Sequence, residues 1–383
     1  MDLELSQEQK FIRESVRDFA EREIKPIAQE LDEKQEFSIE TTRKMGEMGL
    51  FGMIVSPDYG GQGLDYISYI IAVEELARVD GSQAATVAAH NSLGVNPLYY
   101  FGSEEQKKKY VPQLCTGEAL WGFGLTEPDA GSDSRATKTN AILKDDQWTI
   151  NGSKIFITNA SSDISIGSTV QVVSGEANGK KEFSALIVER GTPGFTAKTM
   201  HGKMMWRASN TAELYFDDCK IPADYILGKR GDGSKIMLQT LDHGRLSIAA
   251  MGLGCAQGCF EMAKQYAQER IQFGAPLNKI QVVANKLADM ALKIELARNL
   301  LYKACWLKDT GKPFAKEAAM SKLYCADIAN DVSYESLQVH GGYGLMKDYP
   351  IERFYRDQRL LQIGEGTSEI QRMVISRYVI EEG

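Results

Sequence analysis

The chain has 383 residues, 43% of them hydrophobic, which is enough for two or three domains with cores of their own and excludes a small disulfide-stapled scaffold. Its 44 basic and 52 acidic side chains leave a formal charge of −8 at pH 7, which argues against a nucleic-acid surface and leaves any anionic ligand to a local basic pocket. No run approaches the roughly 18 consecutive apolar residues of a membrane span, and the opening MDLELSQEQKF lacks the regions of a signal peptide, so a cytoplasmic protein is expected.

Near the N-terminus, Ser6 followed by Gln9 forms a capping box ahead of an apolar face of Ile12, Val16, Phe19 and Ile24, and Pro26 is expected to interrupt that helix. Helical pattern continues at 39–50, 65–79 and 103–115, with the turn-rich SPDYGGQG at 56–63 between the first two. From about 119 to 225 the texture changes to short runs such as WGFGL, KIFIT, STVQVV and FSALIVE, bounded by Gly, Asn, Asp and Pro, which read as a small β-barrel or sandwich. After ILGKRGDGSK the helical period returns with Ile236, Leu241, Leu246, Ile248 and Leu253, and further helices are predicted at 279–308, 314–339 and 366–380. The organisation is therefore three domains, 1–118, 119–225 and 226–383, in α, β, α order.

Several features offer less than they suggest. GLGCAQG at 252–258 has the wrong glycine spacing for a dinucleotide loop and lies inside helical pattern, so it reads as close helix packing. GKRGDGSK at 228–235 lacks the Gly-Lys-Ser/Thr ending of a phosphate loop and reads as the entry to a helix. Cys115, Cys219, Cys255, Cys259, Cys305 and Cys325 contain no CxxC pair and are expected to be reduced and buried. The four histidines lack metal-ligand spacing, so no metal site is expected.

LTEPDAGSD at 125–133 is a proline turn rich in hydroxyls and exposed amides, suited to the polar edge of a nucleotide cofactor but also to a purely structural turn. Paired with NGSKIFITN at 151–159, and followed by RIQFGAPL, LQVHGGYG and GEGTSEIQR, it resembles the acyl-CoA dehydrogenase family over essentially the whole chain. The nearest members by eye are the short-chain (butyryl-type) or short branched-chain enzymes. The resemblance implies a helical N-terminal domain, a β-barrel middle domain and a C-terminal four-helix bundle, with FAD as cofactor.

Residue by residue, it implies that Phe123, Leu125, Thr126 and Ser132 face the flavin or thioester, and that Phe156 and Thr158 cover the isoalloxazine ring. Arg270, Gln272, Phe273 and Gln281 correspond to residues that reach the FAD diphosphate and adenine of a neighbouring subunit, where a guanidinium fork suits phosphate oxygens. Gln338, Gly341 and Gly342 would approach the same cofactor, with Thr367 and Glu369 on its adenosine portion.

The implied base is Glu365, set between Gly364 and Gly366 just before a helix. Without the resemblance it would be only an acidic residue near a helix N-terminus. The α-proton of a thioester is weakly acidic, so its removal calls for an enclosed carboxylate of raised pKa and for donors to the developing enolate. In the family those donors are a flavin ribityl hydroxyl and the backbone N–H of this glutamate. Some branches carry the base immediately before the residue matched by Arg245; here that position is Gly244, which leaves Glu365 alone. Asp242 and Arg245 would contact the CoA arm, or form a surface ion pair of small energetic value. Gly364 and Gly366 fall on the substrate side.

Two departures stand out. Met205 occupies a glycine position ahead of Trp206 and Arg207, which questions the loop shape, and Gly364 replaces a tyrosine common in straight-chain members. The expected activity is FAD-dependent α,β-dehydrogenation of a short-chain, branched or alicyclic acyl-CoA in fatty acid β-oxidation. A homotetramer built as a dimer of dimers, reoxidised by electron-transferring flavoprotein, goes with that resemblance. The alternatives are an acyl-CoA oxidase that uses oxygen, and an idle flavin or acyl-CoA binder with a role in assembly.

Overall fold

A computed structural model describes residues 4–381. Helix α1 (Gln7–Phe19) opens with both halves of the capping box, Gln9 N donating to Ser6 Oγ at 3.1 Å and Ser6 N to Gln9 Oε1 at 3.0 Å. Pro26 does not break the helical run. A π-helical turn (Ala20–Ile24) passes directly into α2 (Lys25–Lys34), where the proline sits in the first turn and its missing N–H costs nothing. Helices α3 (Ile39–Glu47) and α4 (Tyr66–Ala77) come next, then α5 (Gly81–Ala89), a second π turn (His90–Val95), α6 (Asn96–Phe101) and α7 (Glu104–Leu114). Residues 81–98 are nearly all buried, so no polar face marks their periodicity.

The middle region carries β1 (Leu120–Gly124), β2 (Asn140–Lys144), β3 (Gln147–Thr158), β4 (Ser165–Ala177), β5 (Lys180–Glu189), β6 (Phe195–Thr199), β7 (Thr211–Pro222) and β8 (Ile226–Leu227). They form one sheet in the order β6-β7-β3-β2-β4-β5-β8, with β1 added parallel to β4. Trp148, Ile150, Val170, Val172, Leu186, Leu214 and Phe216 fill its interior, each buried side chain contributing on the order of 1.5–3 kcal/mol.

GKRGDGSK then leads into α8 (Gly233–Glu269). A short hairpin of β9 (Ile271–Gln272) and β10 (Ala275–Pro276) precedes α9 (Gln281–Asp309), α10 (Ala315–His340), α11 (Ile351–Asp357) and α12 (Ser368–Glu381). By length and composition α8 could cross a membrane, yet 78% of its apolar window is buried inside the protein, which is the signature of a core helix. Its GLGCAQG segment packs closely, as expected: a Cβ on Gly254 would lie 2.2 Å from the Glu74 carbonyl oxygen of α4, and one on Gly252 would lie 2.7 Å from that of Cys325 on α10. All six cysteines are free and buried.

Candidate active site

The GEGT turn owes its shape to two left-handed residues, Glu365 at φ 51° and Gly366 at φ 92°. A glutamate there carries about 1–2 kcal/mol of strain, so other contacts must hold it. Lys322 Nζ, from α10, donates to Gly366 O at 2.7 Å, and Gln371 Nε2, from the first turn of α12, donates to the same oxygen at 2.9 Å and to Glu365 O at 3.3 Å. Thr367 caps α12 by accepting from Ile370 N at 3.3 Å.

This turn drives the Glu365 side chain against α8. A Cβ placed on Gly244 would lie only 1.8 Å from Glu365 Oε2, and 3.2 Å from Leu93 Cδ2 of the second π turn. Gly244 is thus the notch that receives the carboxylate. Although the residue as a whole is half-buried, Oε2 is shielded from solvent and has no hydrogen-bond partner. Burial pushes the Glu365 carboxyl up to about 7, against the opposing pull of Lys322 and Arg245. Arg245 is not a surface residue: its side chain is 7% exposed and its Nη1 lies 2.5 Å from Asp242 Oδ1. Burial also raises the Asp242 carboxyl, with Arg245 opposing.

In the middle region, LTEPDAGSD and KIFIT are joined by a buried ion pair. Lys154 Nζ donates to Glu127 Oε1 at 2.7 Å and to Leu125 O at 3.2 Å. Glu127 also accepts from Lys138 N and Thr139 N at 2.7 and 3.0 Å, while Ile155 N donates to Thr126 O at 3.0 Å. Phe123 is buried, Leu125, Thr126 and Thr158 are half-buried, and Ser132 is exposed. A bulge in β3 between Lys154 and Ile157 puts Phe156 at φ 61° and leaves its ring 63% exposed, turned away from the sheet interior.

A third group gathers elsewhere. Arg270, Gln272, Gly341 and Gly342 line one cavity of about 410 Å³ together with His340 and Tyr343. The Arg270 guanidinium lies 5.5 Å from the centre of the Tyr343 ring. Neither Glu365 nor Phe156 lines this cavity. Phe273, at the tip of the β9–β10 hairpin, is 97% exposed, and Gln281, Gln338 and Glu369 are exposed as well.

The chain matches the family descriptions "Acyl-CoA dehydrogenase, N-terminal domain" over residues 6–118, "middle domain" over 122–219 and "C-terminal domain" over 231–380. It is 46% identical over 376 residues to the short-chain specific acyl-CoA dehydrogenase of Clostridium acetobutylicum, covering 98% of this chain and 99% of that one. The chain belongs to the acyl-CoA dehydrogenase family. Its three-domain fold superimposes on butyryl-CoA dehydrogenase from Megasphaera elsdenii with a TM-score of 0.96 at 42% identity, covering 99% of this chain and all of the other. A glutaryl-CoA dehydrogenase from Mycobacterium smegmatis in complex with FADH2 gives a TM-score of 0.93 at 30% identity, covering 98% and 95%. Acyl-CoA dehydrogenases are FAD-dependent oxidoreductases, and this chain is one of the short-chain type.

Four residues of this acyl-CoA dehydrogenase are given no role by the motifs although the structure gives them work: Glu127, Lys154 and Gln371, which lie inside quoted motifs, and Lys322, which does not. Lys154 carries a usable signal, because strand alternation points it inward, where a lysine requires a partner. Lys322 carries one too, standing in the small and apolar run AAMSKLYCADIA of α10. The loop before β7 is anchored by Trp206 rather than by Met205: Trp206 adopts φ 43° and its N–H donates to Asp357 Oδ1 at 2.7 Å.

Proposed function

We propose that the protein dehydrogenates a short acyl-CoA between Cα and Cβ, with Glu365 as the base and Gly364 leaving room for branched or alicyclic acyl groups. The observation that carries the reading is the Glu365 carboxylate: enclosed, unpartnered at Oε2, and raised to about 7, where it is both ionised in substantial fraction and basic enough to accept a proton. The residues present suit a flavin dinucleotide. Phe156 offers an exposed ring, and Arg270 stands beside Gly341 and Gly342, on neither of which an added Cβ would meet an atom within 4 Å. When bound, FAD supplies the acceptor for the hydride leaving Cβ.

The chain's own residues do the rest. Glu365 takes the α-proton, and its backbone N–H is the donor assigned to the thioester oxygen. Gly244 and Leu93 exclude water from the carboxylate. Arg245, paired to Asp242, presents a buried cation on the helix turn beside it. Gly364 does not adopt a left-handed conformation, and the nearest atoms to a Cβ there would be those of Leu360 at 3.5–3.6 Å, an ordinary contact, so neither backbone nor packing demands glycine. That supports an open acyl pocket.

The separation of the Arg270 cavity from Glu365 supports a homotetramer, a dimer of dimers, in which each cofactor is held across a subunit boundary, with electron-transferring flavoprotein as the oxidant. Light scattering that shows a stable monomer with full FAD occupancy would sink that assembly. The central test is anaerobic addition of butyryl-CoA to the yellow holoprotein. Bleaching is expected, and unchanged absorbance with ligand bound would mean a binder instead. Rapid oxygen uptake with no partner flavoprotein would mean an oxidase.

A further inference from the structure

Lys322 is an unusual residue to keep inside a helix bundle. It is fully buried on α10, and among the described residues its ammonium makes no ion pair; its hydrogen bond goes to a neutral acceptor, Gly366 O, at 2.7 Å. A buried cation with no carboxylate partner is costly, and a methionine would fill the same space without that penalty. The placement of the bond explains the retention. Gly366 O is the carbonyl of the residue immediately after Glu365, in a turn that needs two consecutive left-handed residues.

We propose that Lys322 is a positioning residue for the base: its Nζ pins the Glu365–Gly366 turn that aims the carboxylate into the Gly244 notch, and its uncancelled charge keeps that carboxylate ionised at neutral pH. This inference rests on Glu365 being the base. The charged and titratable groups facing the site come from every packed element. Arg245 on α8 is the other cation acting on Glu365, and it is paired with Asp242 at 2.5 Å. Tyr69 on α4 is neutral and engaged with Ser247 Oγ at 2.9 Å and Ala88 O at 3.1 Å. Asp327 on α10 and Glu369 on α12 are acidic and act on Lys322 from outside. Lys322 is therefore the stronger of the two cations acting on Glu365, and the one with no ion pair of its own among the described residues. Burial lowers the lysine to about 8, with Glu365 pulling it back up, so it is still protonated at pH 7. In the other direction, Lys322 heads the influences that hold Glu365 down against burial. Gln371 shares the clamp on Gly366 O but carries no charge, which lets the two roles be separated.

The test is the pH profile of the limiting rate of flavin reduction by butyryl-CoA, by anaerobic stopped flow, on the tetrameric holoenzyme. In Lys322→Gln the acid limb should move up by about one pH unit, a tenfold loss of ionised base at low pH. Lys322→Arg keeps the charge and should hold the midpoint within a few tenths of a unit of wild type. Gln371→Leu should lower the plateau rate and leave the midpoint in place. A midpoint unchanged in Lys322→Gln overturns the electrostatic role, and a plateau unchanged in both Lys322→Gln and Gln371→Leu overturns the clamp. If Lys322→Gln does not fold, Lys322→Arg decides the matter, since a shift of a full unit there contradicts a charge-based role. Glu365→Gln, run in parallel, isolates the underlying reading: reduction at wild-type rate in that variant removes the base itself, whatever Lys322 does.

Discussion

Two buried glutamates, one in each half of the site, have opposite fates. Glu127 accepts from Lys154 Nζ and from the amides of Lys138 and Thr139. Burial alone would raise it, but Lys154 and these donors outweigh burial and hold its carboxyl below the ordinary range. Glu365 is half-buried as a residue but its Oε2 is shielded and has no partner, and burial raises its carboxyl to about 7. The same side chain is a structural anion where donors surround it and has a raised pKa, as the proposed base needs, where they are withheld. What most distinguishes the two regions is the supply of hydrogen-bond donors, which Glu127 has and Glu365 Oε2 lacks.

Breaking the satisfied partner should produce the largest effect. Lys154→Met strands Glu127 in the sheet, and losing one member of a buried pair typically costs about 3–5 kcal/mol. Thermal denaturation should show a large fall in Tm together with loss of FAD, and adding Glu127→Gln to the same chain should recover part of it. A near-wild-type Tm for Lys154→Met would show the pair to be dispensable.

The unsatisfied partner should behave in reverse, being dear to catalysis and a burden to stability. Glu365→Gln should retain FAD and bind acyl-CoA yet reduce flavin at least about a hundredfold more slowly in stopped flow. A group whose folded pKa is raised adds stability below its unfolded value and loses it as pH climbs through the folded one. For Glu365 that window runs from the ordinary carboxylate range to about 7. The glutamine variant should accordingly melt higher than wild type at pH 8 and at nearly the same temperature at pH 4. Equal Tm differences at both pH values would remove Glu365 from this account. Glu127 has the opposite sign: its stabilisation is present above the unfolded carboxylate value and is lost as pH falls through the lowered folded one.

Smaller effects come from the glycines that shape the cavity. Gly244→Ala puts a methyl where Oε2 now lies, and because the displaced atom ends a flexible side chain, the fold should survive with little change in Tm. Misplacing the base by about 1 Å can cost up to about a hundredfold, so the limiting reduction rate should fall while FAD content holds. Unchanged rates would mean that the carboxylate has a second productive position. Gly364→Tyr should be the mildest, lowering kcat/KM for isobutyryl-, 2-methylbutyryl- or cyclohexanecarboxyl-CoA more than for butyryl-CoA by about 1–3 kcal/mol. A common factor for all substrates would make Gly364 a backbone residue only.

Much of this was legible in the residues. The capping box at Ser6, the change of texture near residue 119 and the packing role of GLGCAQG are local properties, and local patterns report them. Pro26 misleads because a proline that ends one helix and a proline that starts the next look alike without the chain's direction at that point. Helix α5 and the π turn after it were hidden because burial on nearly all sides erases periodicity. Glu365 was legible through its motif and through the absence of a carboxylate at Gly244. What hid the lysines at 154 and 322 is that each is defined by a partner far along the chain, 27 and 44 residues away respectively.

The Gly244 notch also constrains how such an enzyme can change. A glutamate at position 244 and the glutamate at 365 cannot both occupy the space that separates a Cβ on Gly244 from Oε2, 1.8 Å. If Glu365 is the base proposed above, moving that role to position 244 therefore cannot proceed through an intermediate that keeps both carboxylates in place. Gaining the new one first expels the old from its pocket, and losing the old one first leaves no base at all. The two positions are therefore coupled: what a substitution at 244 does depends on which side chain stands at 365. Glu365 Oε2 fills the space beside Gly244, and a survey of tolerated substitutions at 244 should find its outcome dictated by whether position 365 is still glutamate.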